Sequence, residues 1–209
     1  MTAWIDITRP VDEHMLCWPG RKPPHRTWEK RMADGEHCNV SNWELNAHCG
    51  THVDAPLHFV EEGLSIDQIP PETFLGECIV IDARELDGGM LDLEAAEACG
   101  AYERILIRSA HSEVPAGGDY PDHGPLMTQE AASFLLQGGM KLIATDRLSV
   151  DGSDAQDFRV HHRLLGAGCV IVEGLALGNV SAGKYSLCLL PLRLTGAEAS
   201  PARAFLSPE

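Results

Sequence analysis

Positive charge is scarce in this chain: 16 lysines and arginines face 31 aspartates and glutamates, giving a formal net charge of -15 over 209 residues. A field of that sign disfavours a nucleic-acid backbone or an anionic membrane as the main partner, and a small ligand is easier to accommodate. No helix-turn-helix or zinc-finger pattern offsets it. The GxGxxG and GxxxxGK loops that cradle phosphates are also missing, which argues against a dinucleotide-dependent dehydrogenase or a P-loop enzyme. Seven cysteines are scattered over positions 17, 38, 49, 78, 99, 169 and 188 with no CxxC pair, so a disulfide framework is not expected. No apolar run is long enough to span a bilayer, and Met1 to Asp6 holds neither a basic leader nor a long apolar core. A cytoplasmic protein is the expectation. With no internal repeat and no linker-like stretch, residues 1–209 are expected to form one domain around one core.

What is present is an alternation of short β-prone runs with segments of helical character, which points to an α/β layer arrangement. Strands are expected at Trp4–Thr8, Cys78–Asp82, Ile105–Arg108, Leu142–Thr145, Cys169–Glu173 and Tyr185–Leu194. Helices are expected at Asp92–Cys99, Thr128–Gln137 and Asp157–Leu165, with Gly138, Gly139 and Gly166 as exits. The stretch from Pro115 to Pro125 holds Gly117, Gly118, Pro121 and Gly124 and reads as a long loop that could border a pocket. His111 and His123 read as ordinary exposed polar residues there.

The chemistry concentrates in His48-Cys49-Gly50-Thr51-His52-Val53-Asp54-Ala55-Pro56-Leu57-His58, three histidines and an aspartate within eleven positions. If residues 48–54 are extended, the two-residue side-chain period brings His48, His52 and Asp54 to one face, with Gly50 leaving room between them. Gly50 and Pro56 argue against a helix here, so an extended segment or tight loop is expected. Imidazole nitrogen with carboxylate oxygen suits zinc, and also manganese or iron.

A second polar group lies far along the chain. The helix holding His161 and His162 feeds an apolar run that ends in Glu173, at a strand's carboxyl end, where α/β folds commonly place ligand-binding side chains. A carboxylate there is costly unless paired or coordinated. The two histidines point in different directions on a helix, so one of them at most is expected to reach the ligand set.

On these residues, and on Thr145 to Asp151, Tyr185 to Leu194 and Ala199 to Ala204, the chain resembles the metal-dependent cyclase-like hydrolase family, in particular its bacterial kynurenine formamidase branch, through nearly its whole length. The resemblance implies a compact cyclase-like fold of the swivelling β/α/β type, assembled as a homodimer or higher homo-oligomer. It implies His48, His52, Asp54, His161 and Glu173 as ligands of one or two divalent metal ions, zinc before manganese. Asp54 and Glu173 would be able to bridge two ions, and His58 would be the proton-transfer residue. The implied activity is hydrolysis of a small aromatic amide, with N-formyl-L-kynurenine giving L-kynurenine and formate in tryptophan catabolism by the kynurenine pathway.

Isatin or another cyclic amide is the alternative substrate, since the same activated water can attack a ring amide. A metal-binding protein without catalysis is the alternative of another class. Trp18 is a candidate wall against an aryl ring, or packing area alone. Arg21 and Lys22, which follow Trp18-Pro19-Gly20, read more readily as solvated residues of a turn than as a carboxylate site.

Overall fold

The computed structural model describes residues 3–115, 118–121 and 123–208. Ten strands appear among these residues: β1 (Ile5–Asp6), β2 (His25–Lys30), β3 (Val40–Glu44), β4 (His52–Asp54), β5 (Leu75–Asp82), β6 (Arg104–Arg108), β7 (Leu142–Thr145), β8 (Val170–Glu173), β9 (Gly183–Pro191) and β10 (Ala199–Pro208). Three α-helices among the described residues join them: α1 (Leu93–Ala98), α2 (Gln129–Gln137) and α3 (Arg159–Leu165). Strands β5 to β8 run parallel, each crossover carrying one helix, while β4, β9 and β10 are antiparallel to their neighbours. Because β10 pairs with β9 as well as β4, the sheet closes on itself, and β1 adds to the outside of β10. The fold is thus a compact α/β layer arrangement, as the alternation of strands and helices implies.

The strand period sorts the side chains into two cores. Leu106, Ala144 and Val172 face the interior of the closed sheet, whereas their neighbours Ile105, Ile107, Ile143 and Ile171 face the helices. Both faces are buried, which is why β6, β7 and β8 are continuous apolar runs rather than alternating ones. This parity positions the site. Ile171 faces the helices, so Glu173, two residues on, does too; Val53 faces the interior, so His52 and Asp54 flank it on the helix side. The register sets His52 opposite Glu173 and Asp54 opposite Ile171.

Two expectations need correction, and a third resolves between the forms expected. The strand near the start is only Ile5–Asp6, with Thr8 making an isolated bridge to Leu175. The third helix begins at Arg159 because Phe158 takes a left-handed backbone (φ 45°). Of the two forms expected for the histidine segment, residues 48–51 take the tight loop, with Gly50 at φ 62°, and only His52–Asp54 is extended. The Gly138 and Gly166 exits are in place, although the left-handed residues that end the turns are Gly139 and Gly168. Strands β2, β3 and β10 have no counterpart in the expected set. Among them β2 and β3 form a separate two-stranded ribbon, exposed over nearly its whole length, with the Arg26 guanidinium 4.9 Å above the Trp28 ring and 5.4 Å above Trp43.

Candidate metal centre

Two adjacent strands and a helix bring the distant residues together. His52 Nε2 lies 3.5 Å from Asp54 Oδ1 and 3.6 Å from Glu173 Oε2. From α3, His161 Nε2 comes within 3.4 Å of Glu173 Oε1 and 3.8 Å of Asp54 Oδ2. His48 enters from the turn, its Nδ1 2.8 Å from Asp54 Oδ1. The turn is held against the end of β8 by Thr51, whose hydroxyl donates to the Gly174 carbonyl at 2.7 Å. A Cβ on Gly174 would come within 2.3 Å of the Gly50 carbonyl oxygen, so the approach of the two segments requires glycine there. His58 follows on the 3-10 turn Pro56–His58, its ring centred 4.2 Å from that of His48. His162, in contrast, is exposed on α3 and packs its ring edge against Phe59.

Burial makes this cluster electrostatically demanding. His52, Asp54, His161 and Glu173 are each less than 5% exposed. Burial alone would depress the His52 imidazole, but Asp54 and Glu173 outweigh it and raise the ring to about 9. Burial likewise opposes the charge on His161, which Asp151 and Glu173 raise to about 10. Burial would raise the two carboxyls; His52 and His48 hold Asp54 well below its ordinary value, and His161 and His52 lower Glu173. Two buried carboxylates thus demand positive charge, which protonated imidazoles supply to the metal-free protein. A cation would take that place and release the protons.

The residues present fit such a cation. His52 Nε2 and both Asp54 carboxylate oxygens are buried without a hydrogen-bond partner, a costly arrangement for a carboxylate that a cation would relieve. Two overlapping groups have donor atoms within 4.8 Å of one another: His52, Asp54 and Glu173, and His48, Asp54 and His58. Asp54 belongs to both. His58 therefore stands where it can either hold an ion or serve beside one, and burial keeps its imidazole below the ordinary value, neutral and able to accept a proton.

Three supports are not among the residues singled out from the sequence. Asp151 accepts the His161 Nδ1–H at 2.6 Å and the backbone N–H groups of Val160 and His161 at 2.9 and 3.1 Å, fixing which ring nitrogen faces the cluster. Val150 N–H donates to Glu173 Oε1 at 2.8 Å. Glu198 sets an oxygen 3.3 Å from His48 Nε2 from a half-exposed loop, for which no local pattern gave a signal. His111 is corrected: it is buried, with its Nδ1 2.9 Å from the Ser109 hydroxyl, which donates to buried Asp146. It does not line the pocket.

The cluster forms the floor of a cavity of about 200 Å³, walled by Trp18, Phe59, Phe158 and Leu148 and edged by Arg21 and Lys22. The Pro115–Pro125 loop meets this wall through Tyr120, whose ring lies 5.5 Å from Trp18 and whose hydroxyl accepts the Leu148 N–H at 3.2 Å. Ala116, Gly117 and Asp122 of that loop lie outside the described residues.

A closed α/β sheet carrying a buried histidine–carboxylate cluster at the floor of a cavity defines this chain as a metal-dependent hydrolase. Residues 5–152 match the family model described as "Putative cyclase", and the chain belongs to that family. It is 36% identical over 206 residues to the kynurenine formamidase of Salinibacter ruber, covering 98% of this chain and 97% of that protein. The structure of a predicted metal-dependent hydrolase from Bacillus stearothermophilus superposes with a TM-score of 0.82 at 26% identity, over 99% of this chain and 98% of that one. Isatin hydrolase A from Labrenzia aggregata shares the fold with a TM-score of 0.81, at 24% identity and with coverage of 98% and 93%. No helix among the described residues is long and apolar enough to cross a membrane.

Proposed function

We propose that the whole chain is one catalytic domain that hydrolyses N-formyl arylamines, with N-formyl-L-kynurenine as the leading substrate and L-kynurenine and formate as products. The observation that carries this reading is the buried Asp54 carboxylate, ringed by His48, His52 and His161 with no hydrogen bond to either oxygen, at the floor of an aromatic-walled cavity, in a chain so similar over its length to a kynurenine formamidase. His48, His52, Asp54, His161 and Glu173 would hold one or two divalent ions, zinc before manganese. When bound, the ion supplies Lewis acidity toward the formyl carbonyl and lowers the pKa of water toward neutrality.

The protein's own groups do the remainder. Asp151 and the Gly50 carbonyl, 2.9 Å from His52 Nδ1, each hold one imidazole by its Nδ1 so that Nε2 faces the cluster. His58, neutral because burial depresses it, takes a proton from the attacking water and returns it to the departing arylamine. Trp18, Phe59 and Phe158 give the aryl group an apolar wall. The exposed Trp28, Met32 and Trp43 of the β2–β3 ribbon support a homodimer or higher homo-oligomer, since apolar surface of this kind suits a second copy. A cytoplasmic location remains part of the same reading.

Hydrolysis of N-formylkynurenine, formanilide and isatin by metal-supplemented protein, with products identified, tests it. Formate release from the linear formamides is expected. Selective ring opening of isatin would transfer the assignment to a cyclic-amide hydrolase, a reading favoured by the fold shared with isatin hydrolase A. Metal uptake with no turnover of any of the three would leave a metal-binding protein.

A further inference from the structure

The turn that opens the pocket carries an aromatic ring at one end and a cation at the other. Arg21 N–H donates to the Trp18 carbonyl at 2.9 Å, closing a four-residue turn with Pro19 and Gly20 at its centre. Gly20 sits at φ 83°, the left-handed value that the third position of a type II turn requires, and proline suits the second. A turn so constrained holds its first and fourth residues close together. Trp18, Arg21 and Lys22 all line the cavity whose floor is the metal cluster. Arg21 and Lys22 also continue into the open groove beyond it, beside Glu44 and Asn46.

Two facts separate this pair from an ordinary solvated turn. Among the described residues neither side chain makes an ion pair, although acidic residues outnumber basic ones by 31 to 16 in the chain. The carboxylates lining the same cavity, Asp54 and Glu173, are buried at its floor among the histidines, so the charged side chains at its exposed edge are Arg21 and Lys22, with Glu44 in the groove beyond. In a protein of net charge -15, an anionic substrate approaches against the overall field unless the entrance reverses it locally.

We propose that Arg21 and Lys22 form an anion subsite, and that the natural substrate is an arylamide bearing a carboxylate, its ring against Trp18 and its acid at the basic pair. This rests on the aryl-amide reading above and narrows it to acidic substrates. The pair acts on binding and selectivity, not on the bond that breaks.

The experiment compares 2-formamidobenzoate, neutral formanilide and a formanilide bearing a trimethylammonium group on metal-supplemented full-length protein. Wild type is expected to prefer them in that order by kcat/KM. In R21A/K22A the ratio of acidic to neutral substrate should fall about tenfold, chiefly through KM, as loss of a charge-assisted contact at a wet rim implies. R21E/K22E should place the cationic substrate first, and R21K/K22R should keep the wild-type order. Raising the salt from low to high concentration should erode the preference of wild type and leave that of R21A/K22A unmoved. Equal changes for acidic and neutral substrates would overturn the proposal.

Direct binding of 2-aminobenzoate and of aniline, read by fluorescence or calorimetry, keeps the test independent of turnover. If no formanilide is hydrolysed the formamidase reading fails, yet tighter binding of 2-aminobenzoate that R21A/K22A abolishes would still support the subsite. Indifference of wild type to the carboxylate, in both binding and turnover, would end it.

Discussion

The floor and the rim of one cavity are built by opposite rules. At the floor, strand parity, the His52 to Glu173 register and the capping of α3 by Asp151 each restrict the same few atoms, and every ligand candidate on a strand or helix is buried. At the rim, a four-residue turn places Trp18 and Arg21, Lys22 follows it, and the two cations lie in solvent. The floor is over-determined, so its chemistry tolerates little change; the rim is attached by one turn, so it can vary without disturbing the fold. Reaction type belongs to the first region and substrate choice to the second.

The sharpest break of that division is at Asp54, the residue shared by both candidate ligand groups. D54A should lose bound metal and lower kcat/KM by about a thousandfold or more, the scale of several kcal/mol of Lewis-acid stabilisation. Metal analysis alongside kinetics checks it, and a D54A protein with full metal and activity would remove the floor from the account. H58Q comes next, with kcat lowered by about 100- to 10,000-fold while metal content is kept, the effect of removing a general acid–base. Loss of metal with the activity would instead assign His58 to the group it forms with His48 and Asp54. D151N frees the His161 ring without touching the ligands and should weaken metal binding by about 10- to 100-fold; competition with a chromophoric chelator measures it.

Metal removal should also change how stability depends on pH. His52 and His161 in the metal-free fold are raised to about 9 and about 10, above the ordinary imidazole value near 6.5. Their charged forms therefore contribute stability in full below about pH 6.5 and lose it as the pH climbs through the folded values. Chelator-treated protein should show a Tm that falls between pH 7 and 10, and metal-loaded protein a flatter profile. The same protons must leave when metal binds, so uptake near pH 7 should acidify a weakly buffered solution. Parallel Tm profiles with no proton release would show that the imidazoles are not the groups replaced.

The floor was largely legible in the sequence because its signals are local. The spacing of His52 and Asp54 is a strand spacing and Glu173 closes an apolar run; of His161 and His162 the local pattern admits one at most, and the family resemblance rather than propensity points to His161, which is buried while His162 lies in solvent. What escaped depends on contacts remote in sequence. Asp151 reaches a ring ten residues away across an irregular segment, and Glu198 approaches from the far end of the chain. Strand β10 carries Pro201 and ends at Pro208, so propensity argues against it, yet Ala204 and Leu206 fill the interior and its pairing with β9 closes the sheet. The β2–β3 ribbon is exposed on both faces and so lacks the alternation by which strands are read.

The smallest effect is the one that isolates the rim. Trp18 lines the cavity and packs its ring against Tyr120, and among the described residues it shares no ring pair or side-chain hydrogen bond with a ligand candidate. W18L retains apolar volume and the Pro19–Gly20 turn while removing the aromatic face, so metal content and kcat should stay near wild type. An aromatic contact is worth about 0.5–1.5 kcal/mol beyond its area, which corresponds to a KM for aryl formamides about 2- to 12-fold higher. A simple alkyl formamide has no ring to lose and should show a smaller rise in the same variant. If kcat falls with KM unchanged, Trp18 acts on the floor through Tyr120 and Leu148, whose N–H the Tyr120 hydroxyl accepts, and the two regions are mechanically one. If KM alone moves, the wall chooses the substrate and leaves its hydrolysis to the buried cluster.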